Sequence, residues 1–146
     1  MSSIVQYRLA GNRDIAAVQH LLQLCALPAD DLGKSPVVLF AAEQDGEILA
    51  CAGIEPYPPF GLLRSVAVHP DARGRGIGHR ITQMAIDYAR NQQIRTLFLL
   101  TTTAEHYFAG QGFQPIDRQH VPGPIAATEE FRSICPSTAV VMKKDI

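Results

Sequence analysis

Apolar residues occur in short runs along most of this chain, and turn-forming residues separate the runs. Such runs, whether continuous or alternating with polar positions, are typical of β-strands. The pattern predicts strands at 4–9, 37–43, 47–56, 62–68, 96–101, 113–117 and 137–142. Asp45-Gly46, between the second and third runs, is typical of a tight hairpin turn. Prolines and a glycine at 56–61 then separate the third strand from the fourth.

A helical period is clearest after residue 76, where apolar residues fall on one stripe of an amphipathic helix: Ile77, Ile81, Met84, Ala85 and Tyr88. Helical spacing also predicts a helix over 12–25 and a short helix over 104–111. A further short helix opens at Gly123-Pro124 and ends at Cys135-Pro136. The order β-α-β-β-β-α-β-α-β-α-β predicts an α/β (α+β) fold. Its mixed central sheet has about six to seven strands and is flanked by helices.

Composition narrows the class of protein. The chain has 146 residues, of which 47% are hydrophobic and 18% are charged. These values predict a single domain over residues 1–146 with a real core, and they argue against disorder. The net charge of -1 gives no reason to expect nucleic acid or an anionic membrane as a partner.

Cysteine usage points to a reducing compartment. Cys25, Cys51 and Cys135 are an odd count without paired spacing, which favours free thiols in a cytoplasmic protein. The five histidines form no metal-ligand spacing, so we expect no structural metal. We interpret Cys51 and Cys135 as small buried apolar residues rather than as ligands for arsenic. Residues 1–4 lack signal-peptide character, and no stretch is apolar enough to suggest a membrane span.

The segment Arg73-Gly74-Arg75-Gly76-Ile77-Gly78 lies between a predicted strand and a predicted helix. Glycines let the backbone approach a ligand closely, and the first N–H groups of a helix have no intrahelical partner. With arginines beside them, such amides attract phosphate. The glycine spacing does not match a dinucleotide-binding fingerprint, and no Lys-Ser or Lys-Thr follows as in a Walker loop. We therefore predict a pyrophosphate cradle of another kind.

This segment resembles the Arg/Gln-x-x-Gly-x-Gly/Ala signature of the Gcn5-related N-acetyltransferase (GNAT) superfamily. The strand that ends in Val66-Ala67-Val68-His69-Pro70 and the helix from Ala104 to Gly112-Phe113 are also similar to that family. The resemblance implies the GNAT fold and acetyl-CoA as co-substrate. It implies that residues 73–78 bind the pyrophosphate and that Val66, Ala67 and Val68 bind the pantetheine arm. We expect Phe108 to pack near this arm or in the core.

A narrower resemblance involves Glu55, Gly61–Ser65, Leu99–Thr103 and Phe131–Pro136. These segments look like acetyltransferases encoded in arsenic-resistance clusters, which are similar to amino-acid N-acetyltransferases. The resemblance implies acetyl transfer to the amine of a small molecule, an amino acid or an amino-acid-like toxicant, by direct attack in a ternary complex. An acetyl-CoA sensor without turnover and a protein-amine acetyltransferase are the alternatives. Family members are often dimers, so a homodimer is a further expectation.

Glu55 and Tyr107 are the candidates for acid–base chemistry. Glu55 follows an apolar strand and is a candidate base acting through water; the alternative is a solvated acid at a strand end. Family members usually carry a tyrosine four residues before the glycine of Gly-Phe, and here that position is Phe108. Tyr107 is its neighbour and points elsewhere on a helix, so it is a weak candidate acid, and a packed tyrosine is the alternative.

Arg64 and Thr102 are the candidates for substrate binding. Arg64 interrupts an apolar strand, where we expect it to share a face with Val66 and Val68. Its forked donors suit a substrate carboxylate; the alternative is a structural salt bridge to Glu55 or Asp117. Thr102 offers a hydroxyl at the cleft, unless residues 101–103 only end the strand and cap the next helix.

Overall fold

The computed structural model describes residues 4–33, 36–134 and 139–146. One mixed sheet is built from seven strands: β1 (Gln6–Leu9), β2 (Val38–Gln44), β3 (Glu47–Tyr57), β4 (Phe60–Val68), β5 (Thr96–Thr101), β6 (Gln114–Ile116) and β7 (Val140–Asp145). Their order across the sheet is β1-β2-β3-β4-β5-β7-β6. Neighbouring strands are antiparallel except β4 and β5, which are parallel. The predicted fold class and strand number are therefore confirmed.

Within the described residues, four α-helices connect or follow the strands: α1 (Ile15–Leu24), α2 (Ile77–Asn91), α3 (Glu105–Gly110) and α4 (Gly123–Ala126). Helix α2 packs against the largest core cluster through Ile77, Ile81 and Ala85, as the helical stripe predicted. Helix α1 packs against a second cluster that contains Leu39, Cys51 and Ala67. None of the helices in the described ranges is long and apolar enough to cross a membrane.

The parallel ladder between β4 and β5 is short. It joins Phe60–Leu62 to Thr96–Phe98, whereas β4 continues to Val68 and β5 to Thr101. The carboxyl-terminal halves of the two strands lie outside this ladder. A gap therefore opens in the middle of the sheet, and the ends of both strands face it.

A bulge in β4 changes the predicted direction of Arg64. Ser65 has φ +58°, and the pairing of β3 with β4 shifts register between Cys51 and Gly53. Val66 and Val68 pack against the same core cluster as Leu63. Arg64 is adjacent to Leu63 and so lies on the opposite face. The prediction that Arg64 shares a face with the two valines was wrong, because the bulge inserts an extra residue.

The carboxyl-terminal region also differs from the prediction. The single helix expected from Gly123 is divided into α4 and a π-helical segment, Glu130–Ile134. Thr128 separates the two, because its hydroxyl donates to the Ile125 carbonyl at 2.8 Å and accepts from the Phe131 amide at 3.4 Å. The last strand extends to Asp145 rather than ending at 142. The predicted helix end at Cys135-Pro136 lies outside the described residues.

Candidate functional site

A cleft of about 1220 Å³ lies where β4 and β5 separate. Its walls are the ends of these strands, the segment 25–31 after α1, and residues 127–130. Predicted site residues from several elements line it: Glu55, Arg64, Val66, Ala67, Val68, Arg73, Thr102 and Phe108. The topology thus brings most of the predicted site together, although these residues are far apart in sequence.

The glycine segment connects the end of β4 to the start of α2. Gly74 has φ +81° and Gly76 has φ +78°, a backbone region that side chains other than glycine rarely adopt. Gly76 is the N-cap of α2 and has no side chain to bond the first helical amides. The first turn of α2, including Ile77, therefore offers its N–H groups to a ligand.

Gly78 is the point of closest packing in this segment. A Cβ at Gly78 would lie 2.9 Å from Val68 Cγ2 and 3.4 Å from the Tyr107 hydroxyl. Contacts below 3.0 Å are essentially not seen for real Cβ atoms. Only glycine therefore lets the start of α2 lie against the end of β4 without a shift.

The two arginines of the segment point in different directions. Arg73 lines the cleft, where its Nε donates to the Val68 carbonyl at 3.3 Å and its Nη2 lies 3.7 Å from Cys25 Sγ. Arg75 donates instead to Gln44 Oε1 at 3.2 Å, at the end of β2. Arg73 is therefore the arginine held at the cleft.

Helix α3 presents Phe108 to the cleft, while Tyr107 lies on another side. Phe108 is buried and packs edge-on against Phe113. Tyr107 is 40% exposed, and its hydroxyl is near Gly78. The Thr101 hydroxyl accepts a hydrogen bond from the amide of Ala104, the residue before α3, at 2.9 Å, so this threonine bonds the connection that follows its strand.

Arg64 is buried and surrounded by carboxylates. Its Nη2 donates to Asp31 Oδ1 at 2.6 Å, and its Nη1 donates to Asp31 Oδ2 and, at 2.8 Å, to Glu55 Oε2. Burial lowers the pKa of Arg64, but the hydrogen bond to Asp31 and the neighbouring carboxylates outweigh burial and raise the pKa. The salt bridge to Glu55 is observed, whereas the Asp117 carboxylate accepts a hydrogen bond from the Gln119 amide.

Glu55 is a buried residue rather than a solvated acid at a strand end. It is 2% exposed, and its Oε1 accepts a hydrogen bond from the Tyr57 hydroxyl at 2.7 Å. Burial, followed by this hydrogen bond, raises the pKa of Tyr57 and keeps the phenol protonated. Arg64 and Tyr57 therefore fix the Glu55 carboxylate from two sides.

Glu130 is the third carboxylate beside Arg64. Its Oε1 lies 3.8 Å from Arg64 Nε, and its Oε2 is buried without a hydrogen-bond partner among the described residues. Burial raises the pKa of Glu130 to about 7, because the attraction of Arg64 only partly offsets it and the charges of Glu55 and Asp31 add to it.

Three residues of this cluster were not predicted from the sequence: Asp31, Tyr57 and Glu130. Asp31 lies in a polar loop and Glu130 follows another glutamate, so both have the sequence context of solvated acids. The buried cation of Arg64 was the one signal available, because it requires partners. The sequence cannot identify Asp31 and Glu130 as those partners, because both lie 33 residues or more from Arg64 along the chain.

Comparison with known proteins agrees with this architecture. The model of the acetyltransferase (GNAT) family matches residues 12–113. An amino-acid acetyltransferase of Edwardsiella ictaluri is 31% identical over 131 residues, which cover 84% of this chain and 30% of that protein. An amino-acid acetyltransferase of Pseudomonas paraeruginosa is 35% identical over 140 residues, which cover 87% of this chain and 32% of that protein. The chain thus spans about a third of the length of these curated relatives.

Solved structures share the fold. The N-acetylglutamate synthase of Neisseria gonorrhoeae, complexed with coenzyme A and N-acetyl-glutamate, gives a TM-score of 0.82 at 24% identity over 99% of this chain and 36% of that chain. Rv2747 of Mycobacterium tuberculosis, solved in a complex that contains CoA, gives a TM-score of 0.79 at 24% identity. The match covers 97% of this chain and 99% of that chain. The family match covers most of the chain and includes the glycine segment, so this chain belongs to the acetyltransferase (GNAT) family.

Proposed function

We propose that this protein is an N-acetyltransferase that transfers the acetyl group of acetyl-CoA to the amine of a small molecule. The acceptor is an amino acid or an amino-acid-like toxicant, in line with relatives named amino-acid acetyltransferase. The observation that carries the proposal is the glycine segment, which opens α2 at the end of a cleft between separated strands.

The residues present fit coenzyme A. Gly74 and Gly76 adopt positive φ angles and leave open space where Cβ atoms would stand. The N–H groups of residues 74–78 and the start of α2 suit a diphosphate, and Arg73 adds positive charge. Val66, Ala67 and Val68 line the cleft and would hold the pantetheine arm, with Phe108 beside it. When bound there, acetyl-CoA supplies a thioester carbon open to attack by nitrogen.

Glu55 is the proposed base. An amine must be deprotonated before it can attack, and Glu55 lines the cleft as a carboxylate held by Tyr57 and Arg64. Each carboxylate oxygen can accept more than one hydrogen bond, so these contacts leave Glu55 able to receive a proton through water. The role of Tyr107 as proton donor to the departing CoA thiolate stays a prediction.

The acceptor end of the cleft favours a small molecule over a protein. Residues 127–130 and the segment 25–31 both line the cleft, and Glu130 and Asp31 connect these two walls to Arg64. We propose that Thr102 contacts the acceptor there. For Arg64, the bonds to Asp31 and Glu55 support the alternative of a structural salt bridge over contact with a substrate carboxylate. A cytoplasmic location and a homodimer are further expectations of this proposal.

An acceptor screen tests the proposal. Acetyl-CoA is supplied with amino acids, phosphinic and arsenic-containing amino acids, polyamines or aminoglycosides, and thiol release is followed. We expect release that depends on one class of small amine. Binding of acetyl-CoA without amine-dependent release would instead identify a sensor, and release only with protein amines would identify a protein acetyltransferase.

A further inference from the structure

Among the residues that the structure describes, the cluster around Arg64 contains more negative than positive charge. Asp31, Glu55 and Glu130 each have an oxygen at 3.8 Å or closer to the single guanidinium group of Arg64. When all three are ionised, two negative charges are uncompensated by Arg64. Excess charge is costly in a buried place, so the cluster gains stability from a second cation.

Glu130 differs from the other two carboxylates in its contacts. Asp31 binds Arg64 with both oxygens, and Glu55 uses one oxygen for Arg64 and the other for Tyr57. The Nε–H of Arg64, which faces Glu130, donates to Ser65 Oγ at 3.1 Å instead. Among the described residues, Glu130 Oε2 thus has no hydrogen-bond donor.

Glu130 lies at the edge of the cleft, through which a ligand can approach the cluster. Glu130 is 4% exposed and lines the cleft together with Arg64 and Glu55. A buried acceptor without a partner is costly, and a donor brought by a ligand removes that cost. A cationic N–H donor satisfies both the free oxygen and the excess charge, and an anion satisfies neither.

We propose that Glu130 Oε2 accepts a hydrogen bond from the ammonium group of the acceptor, and that the Asp31–Glu55–Glu130 cluster selects acceptors that enter the cleft as cations. This inference rests on the proposed acetyltransferase function and specifies its substrate class. Glu130 binds the acceptor nitrogen on entry, and Glu55 retains the role of base.

A binding measurement tests the site independently of turnover. Ethylammonium is the probe and ethanol is its uncharged counterpart, and both are titrated into the CoA-saturated protein by NMR at about pH 8, where most Glu130 is ionised. We expect saturable binding of ethylammonium and about tenfold weaker binding in Glu130→Gln, because a charge-assisted hydrogen bond is replaced by a neutral one. Glu47→Gln, an exposed residue at the start of β3, is the matched control and should leave binding unchanged.

The outcomes separate this inference from the proposed function. Equal binding of ethylammonium and ethanol by the wild type, or equal ethylammonium binding by wild type and a Glu130→Gln variant that still binds CoA, would overturn the ammonium site. Failure of the wild type to bind CoA would contradict the proposed function, and the same titrations without CoA would then still test the cluster. The wild-type comparison decides the question even if the variant does not fold.

Discussion

Arg64 and Asp31 form a two-pronged ion pair in the cleft, with Arg64 Nη2 donating to Asp31 Oδ1 at 2.6 Å and Nη1 donating to Oδ2. The pair joins β4 to the segment that follows α1, 33 residues earlier in the chain. Arg64 also binds Glu55, so one guanidinium group holds two carboxylates from separate elements. This cation therefore joins the segment after α1 to β3 and β4 at the cleft.

Replacing Arg64 by leucine should strongly destabilise the fold. The change leaves buried carboxylates without their cation, which typically costs about 3–5 kcal/mol. Urea unfolding measures the loss. Arg90→Leu is the control, because Arg90 forms an exposed pair with Asp87 and its removal should cost about 0.5 kcal/mol. Similar losses in the two variants would contradict the burial and charge assigned to Arg64.

Glu130 should make stability depend on pH. Its pKa rises from an ordinary value of 4.5 to about 7 in the folded protein, so the folded state binds the proton more tightly. Below pH 4.5, Glu130 is protonated in both states and does not affect stability. The free energy of unfolding falls as pH rises from 4.5 to about 7, and above that it is lowered by the full cost of ionising Glu130. That cost is at most roughly 3 kcal/mol for a shift of this size.

Glu130→Gln removes this dependence. The difference in unfolding free energy between variant and wild type should therefore shift in favour of the variant as pH rises from about 4.5 to about 8. Urea unfolding at several pH values provides the measurement. Comparing the two proteins at each pH cancels the titration of other groups, such as Asp14. A difference that does not change with pH would show that the Glu130 pKa is ordinary.

Glu55→Gln should affect turnover rather than cofactor binding. Removing a general base typically lowers the rate by about 10²–10⁴-fold. The CoA dissociation constant should stay close to that of the wild type, because the role proposed for Glu55 concerns the acceptor amine and not the cofactor. Steady-state kinetics with the amine found by the screen and CoA titration measure the two effects. An unchanged rate near neutral pH would exclude Glu55 as the base.

Cys51 should be unreactive in the native protein. It is fully buried, its thiol donates to the Ser65 carbonyl at 3.1 Å, and burial raises its pKa to about 12. Alkylation at neutral pH should modify the half-buried Cys25 before Cys51, which should stay unmodified. Mass analysis of peptides measures the extent of labelling at each residue. Unfolding in urea should make both thiols accessible. Native labelling of Cys51 as fast as Cys25 would contradict its burial.

Much of the fold could be predicted from the sequence because its signals are local. The Asp45-Gly46 turn has φ angles of +55° and +81°, as a tight hairpin requires, and the α2 stripe faces the core. The bulge at Ser65 has no such signal, since serine rarely adopts positive φ. For that reason, the predicted direction of the Arg64 side chain was wrong.

In the candidate site too, the part with a local sequence signal could be predicted and the part assembled by the tertiary structure could not. The glycine segment is continuous in sequence and directly follows β4, and its first residue, Arg73, lines the cleft. The acidic cluster is assembled from a loop, a strand and a π-helical segment, and no sequence periodicity relates these three. Its members become visible as a group only when the tertiary structure brings them to Arg64.

The central claim is that the glycine segment binds the diphosphate of coenzyme A. Gly76→Asp adds a carboxylate at φ +78°, where aspartate is tolerated better than most residues at a cost of about 1–2 kcal/mol. Gly46→Asp is the matched control, because Gly46 has φ +81° with open space around it and lies in the β2–β3 hairpin. The two variants therefore share the backbone strain and differ in location.

Calorimetric titration of acetyl-CoA into the wild type and these two variants is the most direct measurement. The wild type and Gly46→Asp should bind with similar affinity, and a folded Gly76→Asp should lose binding at least about 100-fold, because its carboxylate repels the diphosphate. Equal affinity in Gly76→Asp and Gly46→Asp would show that the cofactor diphosphate binds elsewhere.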